Sequence, residues 1–172
     1  STLLASSAAS DVYKRQDYLM EIERKYIPKT LPENLAQYKH HKIEQAYLNT
    51  APVVRIRKQD NEYFLTYKGG GMMAREEYNL PLNEKSYNHL LTKADGNIIT
   101  KTRYYIPIHN GLTAELDIFE GKFTNMTLVE VEFSSIDEAN SFNPPEWFGK
   151  DVTHDGRFHN SYLSQIDCCL GK

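Results

Sequence analysis

Glu21-Ile22-Glu23-Arg24-Lys25 is the stretch on which the reading of this chain turns. In an extended strand successive side chains point to opposite faces, so Glu21, Glu23 and Lys25 share one face and Ile22 falls on the other. Two carboxylates and an ammonium then crowd one side of a single strand. Like charges this close are unfavourable unless something positive stands between them. A divalent cation fits that role. A lysine or arginine from a neighbouring strand is the ordinary alternative.

The same spacing recurs along the chain. Residues 53–58 carry Arg55 and Arg57, 62–68 carry Lys68, 74–82 carry Arg75 and Glu77, and 98–108 carry Lys101 and Arg103. Residues 112–119 carry Glu115 and Asp117, and 127–133 carry Glu130 and Glu132. The interleaved positions are largely apolar, among them Ile22, Val54, Ile56, Leu116, Ile118, Val129, Val131 and Phe133. A one-sided sheet with a wet polar face accounts for any one of these strands. It accounts poorly for the set, because the charges are sorted into acidic and basic rows. Such rows suit a ligand that is an anion carrying cations. Phosphate oxygens take Arg forks and Lys ammoniums, and Mg²⁺ or Mn²⁺ takes hard carboxylate oxygens.

Strands are expected at 18–27, 42–50, 53–58, 62–68, 74–82, 98–108, 112–119 and 127–133. Asp60-Asn61 and Asn110-Gly111 supply tight hairpin turns between them. Gly69-Gly70-Gly71 leads into a strand rather than a helix, so it reads as a hairpin loop and not as a phosphate cradle. Helices are expected at 33–41, at 83–94 with Asn83 as N-cap, at 136–142 with Ser134 or Ser135 as N-cap, and at 155–166. The fold class is therefore α+β, predominantly β. Consecutive hairpins imply an antiparallel sheet, and eight strands suffice for a closed barrel with a few flanking helices. The charged face would then line the interior and the apolar face would point outward, partly covered by the helices.

The 172 residues suit one domain. A net charge of -3 gives no basic field for nucleic acid. No apolar run is long enough to span a bilayer. The two cysteines, Cys168 and Cys169, are adjacent, which is neither a bridge nor a metal-site spacing. Their scarcity is compatible with a reducing cytoplasm. Residues 1–17 are small, polar and aperiodic and read as a disordered or non-native leader, with Met20 as the native start. The domain is assigned to 18–167 and a tail to 168–172. The six histidines show no ligand spacing, and His40-His41 reads as surface.

Taken in order, Glu21-Ile22-Glu23-Arg24-Lys25, Arg55-Ile56-Arg57, Thr66-Tyr67-Lys68, Arg75 with Glu77, Lys101-Thr102-Arg103, Glu115-Leu116-Asp117 and Glu130-Val131-Glu132 resemble the CYTH, or triphosphate tunnel metalloenzyme, superfamily. The resemblance runs over residues 20–165. It implies an eight-stranded tunnel in which a triphosphate is hydrolysed with two Mg²⁺ or Mn²⁺ ions. By the same resemblance Glu21, Glu23, Glu130 and Glu132, with Asp117, are metal ligands. Glu77, Glu115 and Asp117 serve a second metal or activate water. Lys25, Arg55, Arg57, Lys68, Arg75, Lys101 and Arg103 bind phosphate. Tyr47 is counted with the phosphate-binding set and placed against Lys101, which is also counted with the catalytic groups. Asn79 stands where a further acid often occurs, which leaves the second metal's ligands open. Inorganic tripolyphosphate is the first choice of substrate, because no adenine- or thiamine-binding signature is recognisable. A nucleotide or thiamine triphosphatase and a class IV-type adenylate cyclase are the alternatives, then a non-catalytic polyphosphate-binding module. The expected partner is the small-molecule substrate, without nucleic acid or membrane, and a homodimer stays open.

Overall fold

β1 (Met20–Pro28) has three strand neighbours, and the way it is shared between them closes the sheet. The computed structural model describes residues 20–166. The expected leader, Cys168, Cys169 and the tail lie outside them. Eight further strands follow: β2 (Lys39–Thr50), β3 (Val53–Gln59), β4 (Glu62–Lys68), β5 (Ala74–Leu82), β6 (Asp95–Pro107), β7 (Thr113–Phe119), β8 (Thr127–Glu132) and β9 (Phe148–Asp151). The helices are α1 (Glu84–Leu91), α2 (Ile136–Ser141) and α3 (Asn160–Leu163). All strand pairings are antiparallel, in the order β5-β4-β3-β2-β6-β7-β8-β1-β9, and β5 returns to β1. One edge of β1 takes β8. The other takes β5 at Met20–Ile22 and β9 at Tyr26–Pro28. The result is a closed eight-stranded barrel with one added strand.

The alternation resolves as inside and outside. Outward-facing Ile22, Tyr26, Leu116, Val129 and Val131 form a core with Phe142 and Phe148, and α2 lies over it. Ser135 caps α2 by accepting from the Glu138 N–H at 3.1 Å. Arg24, also outward, donates to the Ala139 and Phe142 carbonyls and so ties α2 to β1. On the opposite flank Tyr87 of α1 packs against Ala46 and Ile56. A third cluster fills one end of the barrel: inward-facing Tyr47, Val53, Ile99, Phe119 and Leu128 meet Phe123, Val152 and Leu163. One end of the interior is thus an apolar plug. No helix among the described residues is long and apolar enough to cross a membrane.

Three expectations are corrected. The helix at 33–41 is a single 3₁₀ turn, Leu35–Gln37. β2 already begins at Lys39, because His40 and His41 pair with Tyr104 and Arg103 of β6. The helix at 155–166 breaks into a 3₁₀ turn (Gly156–Phe158) and α3, with His159 extended between them at φ -79° and ψ 137°. The eight expected strands are joined by a ninth, since Phe148–Asp151 pairs with β1 as β9.

Candidate active site

Strand register decides which inward charges find partners. Glu21 lies opposite Arg75, and Lys68 opposite Glu77. The Lys68 ammonium sits 2.5 Å from Glu21 and 2.6 Å from Glu77, and Arg75 reaches Glu21 at 2.9 Å and Glu23 at 3.2 Å. Lys25 lies opposite Glu130 and bonds it at 2.7 Å. Arg103 lies opposite Asp117, takes both its carboxylate oxygens at 2.6 Å, and also bonds Glu115 and Glu130. Lys101 bonds Asp117 as well.

Two register pairs set like charge against like. Glu115 faces Glu130, and Glu23 faces Glu132. Directly opposed like charges are destabilising. Arg103 bridges the first pair. Nothing bridges the second: Glu132 has no hydrogen bond or ion pair to any described residue. Although the residue is exposed overall, its carboxyl is pushed up to about 7, by lost hydration first and then by Glu115, Glu21 and Glu23.

β3 shows the opposite imbalance. Arg55 and Arg57 lie opposite Tyr47 and Gln45 on one side and Thr66 and Phe64 on the other. Neither makes an ion pair among the described residues, and both Nε atoms are buried without a partner. Burial and the nearby Arg55 and Arg103 lower the Arg57 guanidinium to about 10. Its remaining contact is the Phe64 ring, 5.3 Å from its centre.

One cavity is lined by Glu21, Glu23, Lys25, Tyr47, Arg55, Arg57, Lys68, Arg75, Glu77, Lys101, Arg103, Glu130 and Glu132. Most of the expected site residues therefore meet. Glu115 and Asp117 are not among its lining residues: Asp117, 1% exposed, lies under Lys101 and Arg103, while half-buried Glu115 bonds Arg103. Tyr47 is not against Lys101. Register puts Ile43 opposite Lys101, and the Tyr47 hydroxyl lies instead by Gln45 and Arg55. Among the described residues no three acids or histidines converge as a metal-ion cluster, the carboxylates other than Glu132 being turned onto lysines, arginines or both. Burial lowers the Lys101 ammonium to about 8 against the pull of Asp117. Burial opposes the charge on Glu77, but Lys68 and Arg55 outweigh it and hold the carboxyl at about 2.

The sequence matches the family model described as the CYTH domain over residues 19–153. The chain belongs to the CYTH domain family. An inorganic triphosphatase of Nitrosomonas europaea is 38% identical over 149 residues, covering 85% of this chain and 97% of that protein. An inorganic triphosphatase of Acetivibrio thermocellus is 31% identical over 148 residues, 83% of this chain and 92% of that protein. A crystal structure of an inorganic triphosphatase superposes with a TM-score of 0.66 at 36% identity, over 86% of this chain and 96% of that one.

This CYTH barrel also recruits residues from outside the charged rows. Gln45, His159, Asn160 and Ser161 line the cavity with the charged rows. Gln45 shares the inward parity of β2 and was legible as such. His159, Asn160 and Ser161 come from the turn entering α3, remote in sequence from the strands, and belong to no periodic pattern.

Proposed function

We propose that this chain hydrolyses inorganic tripolyphosphate to pyrophosphate and phosphate, with Mg²⁺ or Mn²⁺ as cofactor. The observation that carries the proposal is a double imbalance in one cavity. Arg55 is buried and Arg57 half-buried, neither within ion-pair distance of a carboxylate among the described residues, while Glu132 has no cation at that distance. A small polyanion that brings its own divalent cation answers both. The two curated relatives, each named an inorganic triphosphatase, support the same substrate.

The donor set fits a hard divalent ion. Glu132, Glu23, Glu21 and Glu130 are carboxylates, the ligand type such ions take. Three of the four now sit on lysines or arginines that a phosphate chain would draw away. What the bound ion supplies is neutralisation of phosphate charge and a more acidic water. Arg55, Arg57, Lys68, Arg75, Arg103 and Lys25 hold the phosphoryl oxygens and stabilise the charge of the transferred group. Lys101, lowered to about 8 and facing the cavity, gives or takes a proton near neutral pH. Glu77, held at about 2, stays ionised and orients Lys68. Asp117 and Glu115 act through Arg103 and Lys101 as positioning residues.

The test is phosphate release from tripolyphosphate with Mg²⁺, with Mn²⁺ and with a chelator. Release is expected with either ion and is abolished by chelation. No release with any divalent ion, or release that ignores the chelator, would sink the proposal. A nucleoside triphosphate is the second reading. His41 and Tyr105 lie edge to face, ring centres 5.6 Å apart, on the same inward parity as Arg103, and Phe64 lies opposite Arg57. Flat rings there could receive a base. Product analysis with ATP separates hydrolysis from cyclisation and both from no turnover.

A further inference from the structure

His159, Asn160 and Ser161 line the cavity, yet the charged rows explain nothing about them. His159, Ser161, Arg75 and Val53 also line a second pocket, on the other side of the same turn. The remaining walls of that pocket come from the β2–β3 connection at Thr50, Ala51 and Pro52 and from the loop Gly69-Gly70-Gly71-Met72. His159, the N-cap of α3, and Ser161 in its first turn therefore border both the cationic cavity and a loop-walled pocket.

Its chemistry differs from that of the walls it joins. It adds no carboxylate and no cation. Burial, then the fields of Lys25 and Arg75, lower the His159 imidazole to about 4, so at neutral pH the ring is uncharged. The Asn160 Oδ1 is buried without a hydrogen-bond partner. Arg75 lines both pockets, and the segment that borders them beside it is neutral.

The turn is also pinned from behind. The Asn97 N–H donates to the Ser164 carbonyl at 2.6 Å, and the Asn97 side-chain amide donates to the Leu163 and Ile166 carbonyls at 3.0 and 2.7 Å. Gly96, at φ +74°, lies so close that a Cβ would sit 2.0 Å from the Ser164 oxygen, so only glycine fits there. Leu163 is fully buried in the plug.

We propose that His159, Asn160 and Ser161 form a specificity-determining end wall that limits the length of linear polyphosphate the cavity accepts, favouring three phosphoryl groups over four. This rests on the reading of the cavity as a tripolyphosphate site. A longer chain would have to place a further phosphoryl group against an uncharged, anchored turn, losing water without gaining a cation. Shortening the wall side chains joins the cavity to the outer pocket and gives that phosphoryl group a wet exit.

The test compares tripolyphosphate and tetrapolyphosphate, with Mg²⁺ present, on the full chain and on His159→Ala/Asn160→Ala. Thermal stabilisation by each anion reads binding, and kcat/KM reads turnover. The expected result is a rise of about tenfold in the tetra-to-tripolyphosphate ratio of kcat/KM, with a matching gain in stabilisation by tetrapolyphosphate. Asn160→Ala alone removes only an unpartnered amide, and a smaller shift of the same sign is expected from it; it reads the wall should the double variant fail to fold. An unchanged ratio in a folded variant that still binds tripolyphosphate overturns the end wall and leaves the proposed function standing. If neither anion stabilises or is hydrolysed by the parent, the proposed function falls and this inference with it.

Discussion

Arg103 and Arg57 bring the same guanidinium into the same cavity, yet their surroundings are opposite. Arg103 is answered by Asp117, Glu115 and Glu130, and despite its burial these acids raise it well above its usual range. Arg57 is answered by a phenylalanine ring and two other arginines, and falls to about 10. The cause is the company each strand keeps. β6 runs beside acidic β7, whereas β3 runs between a β2 face of Tyr47 and Gln45 and a β4 face of Thr66 and Phe64. One side of the barrel spends its charges on itself. The other holds them unspent, which costs stability and is useful only if a ligand arrives.

Asp117→Ala puts that contrast under the greatest strain. It removes the acid shared by buried Lys101 and Arg103. Breaking a buried pair from one side typically costs about 3–5 kcal/mol, and a loss of that size is expected in urea denaturation. A variant as stable as the parent would mean that the network is not structural. Arg57→Ala is expected to do the reverse. It should lower kcat/KM on tripolyphosphate by about 10²–10³-fold, roughly 2.7–4 kcal/mol of transition-state stabilisation. The melting temperature should hold or rise, since a half-buried cation with no ion-pair partner is removed. Loss of stability without loss of turnover would invert the assignment of the two walls.

Arg24→Ala carries the comparison to the two faces of one strand. Arg24 sits between Glu23 and Lys25 but points outward, donating to the Ala139 and Phe142 carbonyls and pairing with Asp151 at 2.5 Å. These are hydrogen bonds from a charged group at a half-buried position, so about 1–2 kcal/mol of stability should go with them. kcat/KM should stay as in the parent. A drop in turnover as large as that of Arg57→Ala would show that the outer face of β1 transmits to the inner one.

What the sequence made legible was parity. Charges two apart share a face, and that put Glu23, Arg57, Arg103 and Glu132 around one cavity before any contact was known. What it could not supply was register. Whether Glu132 meets Lys25 or Glu23 depends on a two-residue offset between β1 and β8, which alternation leaves free, and offsets of the same kind set Asp117 against Lys101 and Tyr47 against Arg55. β9 escaped notice because four residues, Phe148–Asp151, show no period; they become a strand only because β1 has a spare edge. His159 and Asn160 escaped because their place is set by Asn97 and Gly96 gripping the end of α3, a contact between segments more than sixty residues apart.

Glu132 gives the smallest effect and tests the acidic side of the imbalance. Its folded-state pKa of about 7 lies above the ordinary value of 4.5. Between those two values the folded chain holds the proton more tightly than the unfolded chain. Its contribution therefore falls as pH rises from 4.5 to 7, and above 7 it is a standing penalty. Glu132→Gln carries no such proton, so relative to the parent it should gain stability from pH 5 to pH 8. Because Glu132 is exposed to solvent in the cavity mouth, the gain is screened and should amount to about 2 °C in melting temperature. Mg²⁺ should stabilise the parent at pH 8 more than it stabilises the variant, since the ion removes the repulsion that glutamine has already relieved. A parent whose stability is flat across this range, or a variant that gains as much from Mg²⁺ as the parent does, would mean that the Glu23–Glu132 opposition is already relieved without a cation.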